Sequence, residues 1–249
     1  MKGWFPLLLM VTAVALVYLK RHEIVATLSL RPLTRSPSPQ AEAAAGRLTP
    51  LLRAELQALG LKVGDPVFLR VFKESRELEL WLHPAGGASW TFYKNYPLCA
   101  VPETPGPKHD SGNCAPEGFY FASARHLITR GDRLAIDLGF PNSYDRHHKF
   151  RGQQARLEGG CDPRDSYAAG DAAIAEIVTL ARAALANGQP FFRIHCFPFR
   201  MTDARMNEEL AARSEWVEFW ANLKEGFDYF EILHRPPNTT VKKGRYVFE

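Results

Sequence analysis

The sequence predicts an α+β domain, mostly β, with two or three packed helices. Three observations carry that reading. Apolar residues alternate with a period of two from Pro66 onward, short clusters of turn formers interrupt these runs, and only a few segments switch to helical spacing.

In chain order, Trp4 to Leu19 is an apolar stretch closed by Lys20, Arg21 and His22. It falls short of the roughly 20 residues of a spanning helix. A secretory signal would end in small residues, whereas this run ends Tyr18-Leu19-Lys20-Arg21. The nearest A-x-A pattern, Ala41-Glu42-Ala43, lies far downstream. Residues 1–21 are therefore expected to be an uncleaved membrane anchor, with a cleaved signal as the alternative. Positive charge flanks both ends, so orientation stays open. Residues 22–47 carry Pro32, Pro37 and Pro39 among serines and alanines, the composition of an extended linker. One domain is expected over residues 48–249.

Thr49-Pro50 has the form of an N-cap followed by a first-turn proline, with Leu52, Leu56 and Leu59 at helical spacing up to Gly60. Val67, Leu69 and Val71, then Leu78, Leu80 and Leu82, alternate on either side of the turn Lys73–Arg76 and predict a β-hairpin. Further strands are expected near residues 89–93, 118–122, 134–138 and 191–197. The proline-rich segment 102–114 is expected to be a loop. Ala172–Ala186 places Ile174, Ile177, Val178 and Ala181 on one helical stripe ended by Asn187-Gly188. A second helix is expected over residues 208–223, with Trp216, Phe219, Trp220 and Leu223 as its core face.

The net charge of +4 comes from scattered Lys and Arg. It lacks the clustered basic footprint of a nucleic-acid binder and is compatible with an acidic polymer or an anionic membrane surface. Four cysteines, Cys99, Cys114, Cys161 and Cys196, allow three pairings that the sequence does not choose between. His147-His148 and the group His109, Asp110 and Cys114 lack metal-site spacing, so no metal or other cofactor is expected.

Four segments carry a family resemblance, PEGFY at 116–120, LGFPNSYDR at 138–146, PFRMTD at 198–203 and the Phe219–Glu231 segment FWANLKEGFDYFE, and they flank a stretch that departs from the family's pattern, RGQQARLEGGCDPRDSYAAGD at 151–171. Together, over about Pro66 to Phe248, the chain resembles the murein L,D-transpeptidases of the YkuD-domain family, in their YafK-like branch. Members of this branch trim or remodel peptidoglycan cross-links. The resemblance implies a β-sandwich with packed helices, a periplasmic or envelope-facing location at the inner membrane, and peptidoglycan or another envelope glycan as partner.

In the family a cysteine attacks an amide carbonyl while a histidine takes its proton. The register held by Gly159, Cys161, Tyr167 and Ala168 puts Ser166 at the cysteine position and Glu158 at the histidine position. Pro163 and Asp165 stand where the family has serine and glycine. A carboxylate, with an ordinary pKa of about 4.3, is a weak base for an alcohol. Two readings follow. One is a non-catalytic homologue that binds peptidoglycan or a glycan. The other is a hydrolase or transferase in which Glu158 and Asp162 or Asp165 act as a carboxylate pair on a glycosidic bond. Tyr144, Asp145, Arg146, Gly159, Arg164 and Arg200 match family motifs and are expected to shape the substrate groove.

Overall fold

The computed structural model describes residues 39–109, 113–131, 133–162 and 165–249. The expected anchor, most of the expected linker, Asp110, Pro163 and Arg164 lie outside these.

The first described helix, α1, spans Pro39–Ala58 and so starts inside the expected linker, with Pro50 in its interior rather than at its first turn. The alanine run at 43–45 has the highest helix propensity of any residue type, and Leu52 and Leu56 bury one face. Two hairpin strands follow, β1 (Val67–Phe72) and β2 (Glu77–Leu82), antiparallel as the alternation predicts. Next come β3 (Thr91–Pro97) and β4 (Gly118–Ala122). With β9 (Phe192–Phe197) they form a five-stranded sheet of order β3-β2-β1-β9-β4, in which β1 and β9 run parallel.

Strands β5 (Leu127–Arg130), β6 (Arg133–Asp137), β7 (Arg156–Glu158) and β8 (Tyr167–Ala168) make a second sheet in that order. The short helix α2 (Ser143–His147) lies between β6 and β7, and the long helix α3 (Asp171–Ala186) follows β8. Two helices and a hairpin complete the chain: α4 (Asp203–Ala211), α5 (Val217–Leu233), β10 (Thr239–Lys242) and β11 (Arg245–Phe248).

The five-stranded sheet is covered on both faces. Val67, Leu69, Val71 and Ile194 pack with α3 residues Ile174, Ile177 and Val178 and with Ile136, Leu157 and Tyr167 of the second sheet. On the other face Phe72, Phe119 and Phe197 pack with Phe219, Trp220 and Phe227 of α5 and with Tyr246. This explains why every residue of β1 is buried, where alternation alone would leave every second one wet. Arg70 is buried on the α5 face. Its guanidinium lies 4.7–5.8 Å from the rings of Phe72, Phe197, Phe227 and Phe230 and pairs with Glu79 at 3.3 Å and Glu231 at 2.7 Å.

Two further expectations are corrected. The domain is mixed α+β rather than mostly β, because α1, α3 and α5 have 20, 16 and 17 residues and the strands are short. The single helix expected over 208–223 is two helices, α4 and α5. Arg213 between them has φ +52°, a left-handed conformation that no α-helix can include. Among the described residues no helix is long and apolar enough to cross a membrane.

Candidate functional site

The stretch 156–171 runs from β7 through a turn into β8 and α3. In the parallel β7–β8 pair, Leu157 faces Tyr167 and Glu158 faces Ala168. Leu157 and Tyr167 point into the core. The alternation of side chains along a strand then puts Arg156 and Glu158 on the opposite, partly open face.

Gly159 and Gly160 turn the chain. Gly160 has φ +76°, and its N–H donates to Asp171 Oδ1 at 3.0 Å. A Cβ on Gly159 would come within 2.2 Å of that same oxygen and 3.1 Å of Ile174 Cγ2. Packing against the first turn of α3 therefore demands glycine at 159. Cys161 is bonded to Cys99, with 5.4 Å between their Cα atoms. Cys99 is brought there because its N–H donates to Ala168 O at 2.9 Å and Ala100 bridges to Ala168, extending the second sheet beyond β8. Cys114 and Cys196 are buried thiols, and burial pushes the Cys196 thiol up to about 12.

Ser166 is buried, and its Oγ accepts from the N–H of Arg156 at 3.0 Å. Among the described residues no imidazole or carboxylate bonds that hydroxyl. Asp165 pairs at 3.3 Å with Lys108 Nζ, which is fully buried and also donates to Cys114 O at 3.2 Å. Glu158 and Asp162, with Gly159, line a groove of about 610 Å3 that Asp165 and Ser166 do not line. The same groove holds Arg130, Arg133 and Arg156 against Glu158, Asp162 and Asp171, so its charges balance. The structure thus brings Glu158 and Asp162 to one groove and takes Ser166 and Asp165 out of it.

The other expected site residues scatter. Tyr144 stacks on Tyr246 at 4.7 Å between ring centroids. Asp145 is fully buried, accepts from Asn142 N at 2.8 Å and Tyr120 OH at 3.0 Å, and is pushed up to about 6 by burial, which the bond from Asn142 only partly offsets. Both therefore serve α2 and its packing. Arg146 is exposed in a second groove, beside β4 and β10. Arg200 lies on the five-stranded sheet, bonded at 2.8 Å to both Glu77 and Glu79 and 4.3 Å from the ring centroid of Phe72.

Sequence reasoning missed Lys108, the counter-ion of Asp165, because it sits in a segment whose prolines signal only a loop. It also missed Asp171, which reads as an ordinary first-turn acid. Among the described residues no cluster of three His, Cys, Asp or Glu could hold a metal ion.

No family model matches the chain. It is 37% identical over 202 residues to the "Putative L,D-transpeptidase YafK" of Escherichia coli strain K12, covering 80% of this chain and 79% of that protein. The same figures hold for the protein of that name in Escherichia coli O157:H7. Among solved structures, the helical cell shape determining protein Pgp2 from Campylobacter jejuni matches at 12% identity and a TM-score of 0.41, covering 76% of this chain and 79% of that one. Bdellovibrio bacteriovorus Bd1075 matches at 18% identity and a TM-score of 0.39, covering 66% of this chain and 60% of that one.

Proposed function

Because the chain belongs to the family of YafK-like L,D-transpeptidase homologues, we propose that it is a cell-envelope protein that binds peptidoglycan without the family's cysteine chemistry. Family membership together with a disulfide implies the envelope, since disulfides persist in oxidising compartments.

The observation that carries the reading is the state of Ser166. A serine nucleophile needs an exposed hydroxyl within hydrogen-bonding reach of a base. Here the hydroxyl is buried, and its one described bond is accepted from a backbone N–H. Glu158 is the residue at the base position, and it lines a groove that Ser166 does not reach. The disulfide at Cys161 and the Asp165–Lys108 pair hold the turn from both ends. These bonds support a loop that has become structural.

The carboxylate-based alternative retains Glu158 and Asp162, which share a groove, and loses Asp165 to Lys108. Glu158 is partly exposed and Asp162 exposed in a groove that also holds three arginines, an open and charged surface rather than an enclosed carboxylate pair. The non-catalytic reading is the better supported. It is tested by incubating the protein with purified muropeptides and with intact sacculi, following both the product profile and co-sedimentation. Saturable binding with an unchanged muropeptide profile is expected. Products that vanish in Glu158→Gln would restore the carboxylate alternative.

A further inference from the structure

The groove that holds Arg146 differs from the one beside Glu158 in its charge. It has a similar volume, about 600 Å3, and lies between β4, the 3-10 turn Ala124–His126, the start of α2 and strand β10. Arg125, Arg146 and Arg193 line it, and no carboxylate does. Among the described residues none of these arginines forms an ion pair. The nearest acids are spoken for: Asp145 is buried under hydrogen bonds from Tyr120 and Asn142, and Asp137 accepts from Gly139 N at 2.8 Å.

The walls are held in place. Asn142 donates to Phe119 O at 3.0 Å and to Tyr246 OH at 2.9 Å, which ties α2 to β4 and to the C-terminal hairpin. The Arg146 guanidinium is oriented by Pro141 O and by Ser143 Oγ. Arg193 donates to Asn238 Oδ1 at 2.6 Å and lies 5.3 Å from the centroid of Phe191. Burial lowers its pKa, with no acid nearby to offset the cost. Two further lining residues carry buried polar atoms without a partner among the described residues: both ring nitrogens of His195, and Thr239 Oγ1. Phe121, half exposed, and Phe191 add an apolar wall.

We propose that this groove is a binding site for a ligand bearing two or more carboxylates, held by Arg125, Arg146 and Arg193. Guanidinium groups match carboxylates with paired N–H donors, and three arginines that form no ion pair among the described residues, two of them held by hydrogen bonds, draw such a ligand without first breaking internal ion pairs. The site stands apart from the stretch 156–171 and does not depend on whether the partner is peptidoglycan.

The test is calorimetric titration of the full chain with tetraglutamate, with tetraglutamine as the neutral control and inorganic pyrophosphate as the phosphate source. Saturable binding of tetraglutamate alone is expected. It should weaken by about tenfold or more in the Arg125→Gln/Arg146→Gln double variant and in Arg193→Gln, since a charged hydrogen bond of this kind is worth about that factor. Arg53→Gln, on the exposed side of α1, should change it by less than about twofold. Arg125 and Arg146 are both exposed, so the double variant reports on binding even if Arg193→Gln melts early. Absence of saturable tetraglutamate binding, binding that survives the double variant, or binding of pyrophosphate alone overturns the proposal. Sacculus binding without saturable tetraglutamate binding would overturn this site and leave the proposed function standing. Tetraglutamate binding lost in the double variant, without any sacculus binding, would do the reverse.

Discussion

Asp145 is a carboxylate with no exposed surface, held up to about 6 by burial against hydrogen bonds from Asn142 and Tyr120. Its ordinary value is 3.8, so the folded protein keeps a proton that the unfolded chain releases between these two values. That contribution to stability is complete below about pH 4 and is lost as pH rises towards 6, by about 3 kcal/mol. Asp145→Asn keeps an oxygen acceptor for Asn142 and Tyr120 and removes the titration. Denaturant melts of this variant between pH 4 and 6 should show a markedly flatter stability profile than wild type. Ser166→Cys should yield no transpeptidase or peptidoglycan amidase activity against muropeptides, because a thiol there inherits the buried position and the Arg156 N–H but no base. In the stretch 156–171 the residues that the resemblance singles out, Glu158 and Ser166, were legible in the sequence. Their bonds were not. Nothing in the sequence ties Asp165 to Lys108, 57 positions away, or turns the Ser166 hydroxyl towards Arg156 N.

At the scale of elements, the turn after β7 is fixed by a covalent bond to the chain just beyond β3. The Cys99–Cys161 bridge closes a loop with a sequence separation of 62. Removing it by Cys99→Ser should lower stability by about 2–4 kcal/mol, read as a fall in the denaturant midpoint with a steeper slope, since the unlinked denatured chain exposes more surface. Thiol titration of the denatured, unreduced protein should find two thiols, those of Cys114 and Cys196, and alkylation of the native protein should leave sacculus binding unaffected because both are buried. The hairpin β1–β2 and the helix α3 could be read from periodicity because each is long enough to show a repeat. Strands β7 and β8, of three and two residues, are too short to show one, and they owe their existence to pairing with β6 and with Ala100. The break between α4 and α5 was hidden because residues 212–215 contain no glycine or proline and Trp216, Phe219 and Trp220 show helical spacing directly after it.

Across the whole molecule, the five-stranded sheet separates two aromatic and aliphatic cores, and the two grooves lie in different parts of the fold with different charge. The groove beside Glu158 is lined by as many acids as arginines, and the groove beside Arg146 is lined by three arginines and no carboxylate. The net charge of +4 gave no hint of this division, because it sums scattered side chains whose grouping depends on β4, α2 and β10 coming together. The central claim is the proposal that this L,D-transpeptidase homologue binds peptidoglycan without remodelling it. The most direct measurement is mass-spectrometric profiling of muropeptides after prolonged incubation of the full chain with purified sacculi, with co-sedimentation measured in the same tubes. The account predicts saturable co-sedimentation and a muropeptide profile identical to that of sacculi kept without protein. New cross-linked or trimmed stem peptides that disappear in Ser166→Ala would contradict it.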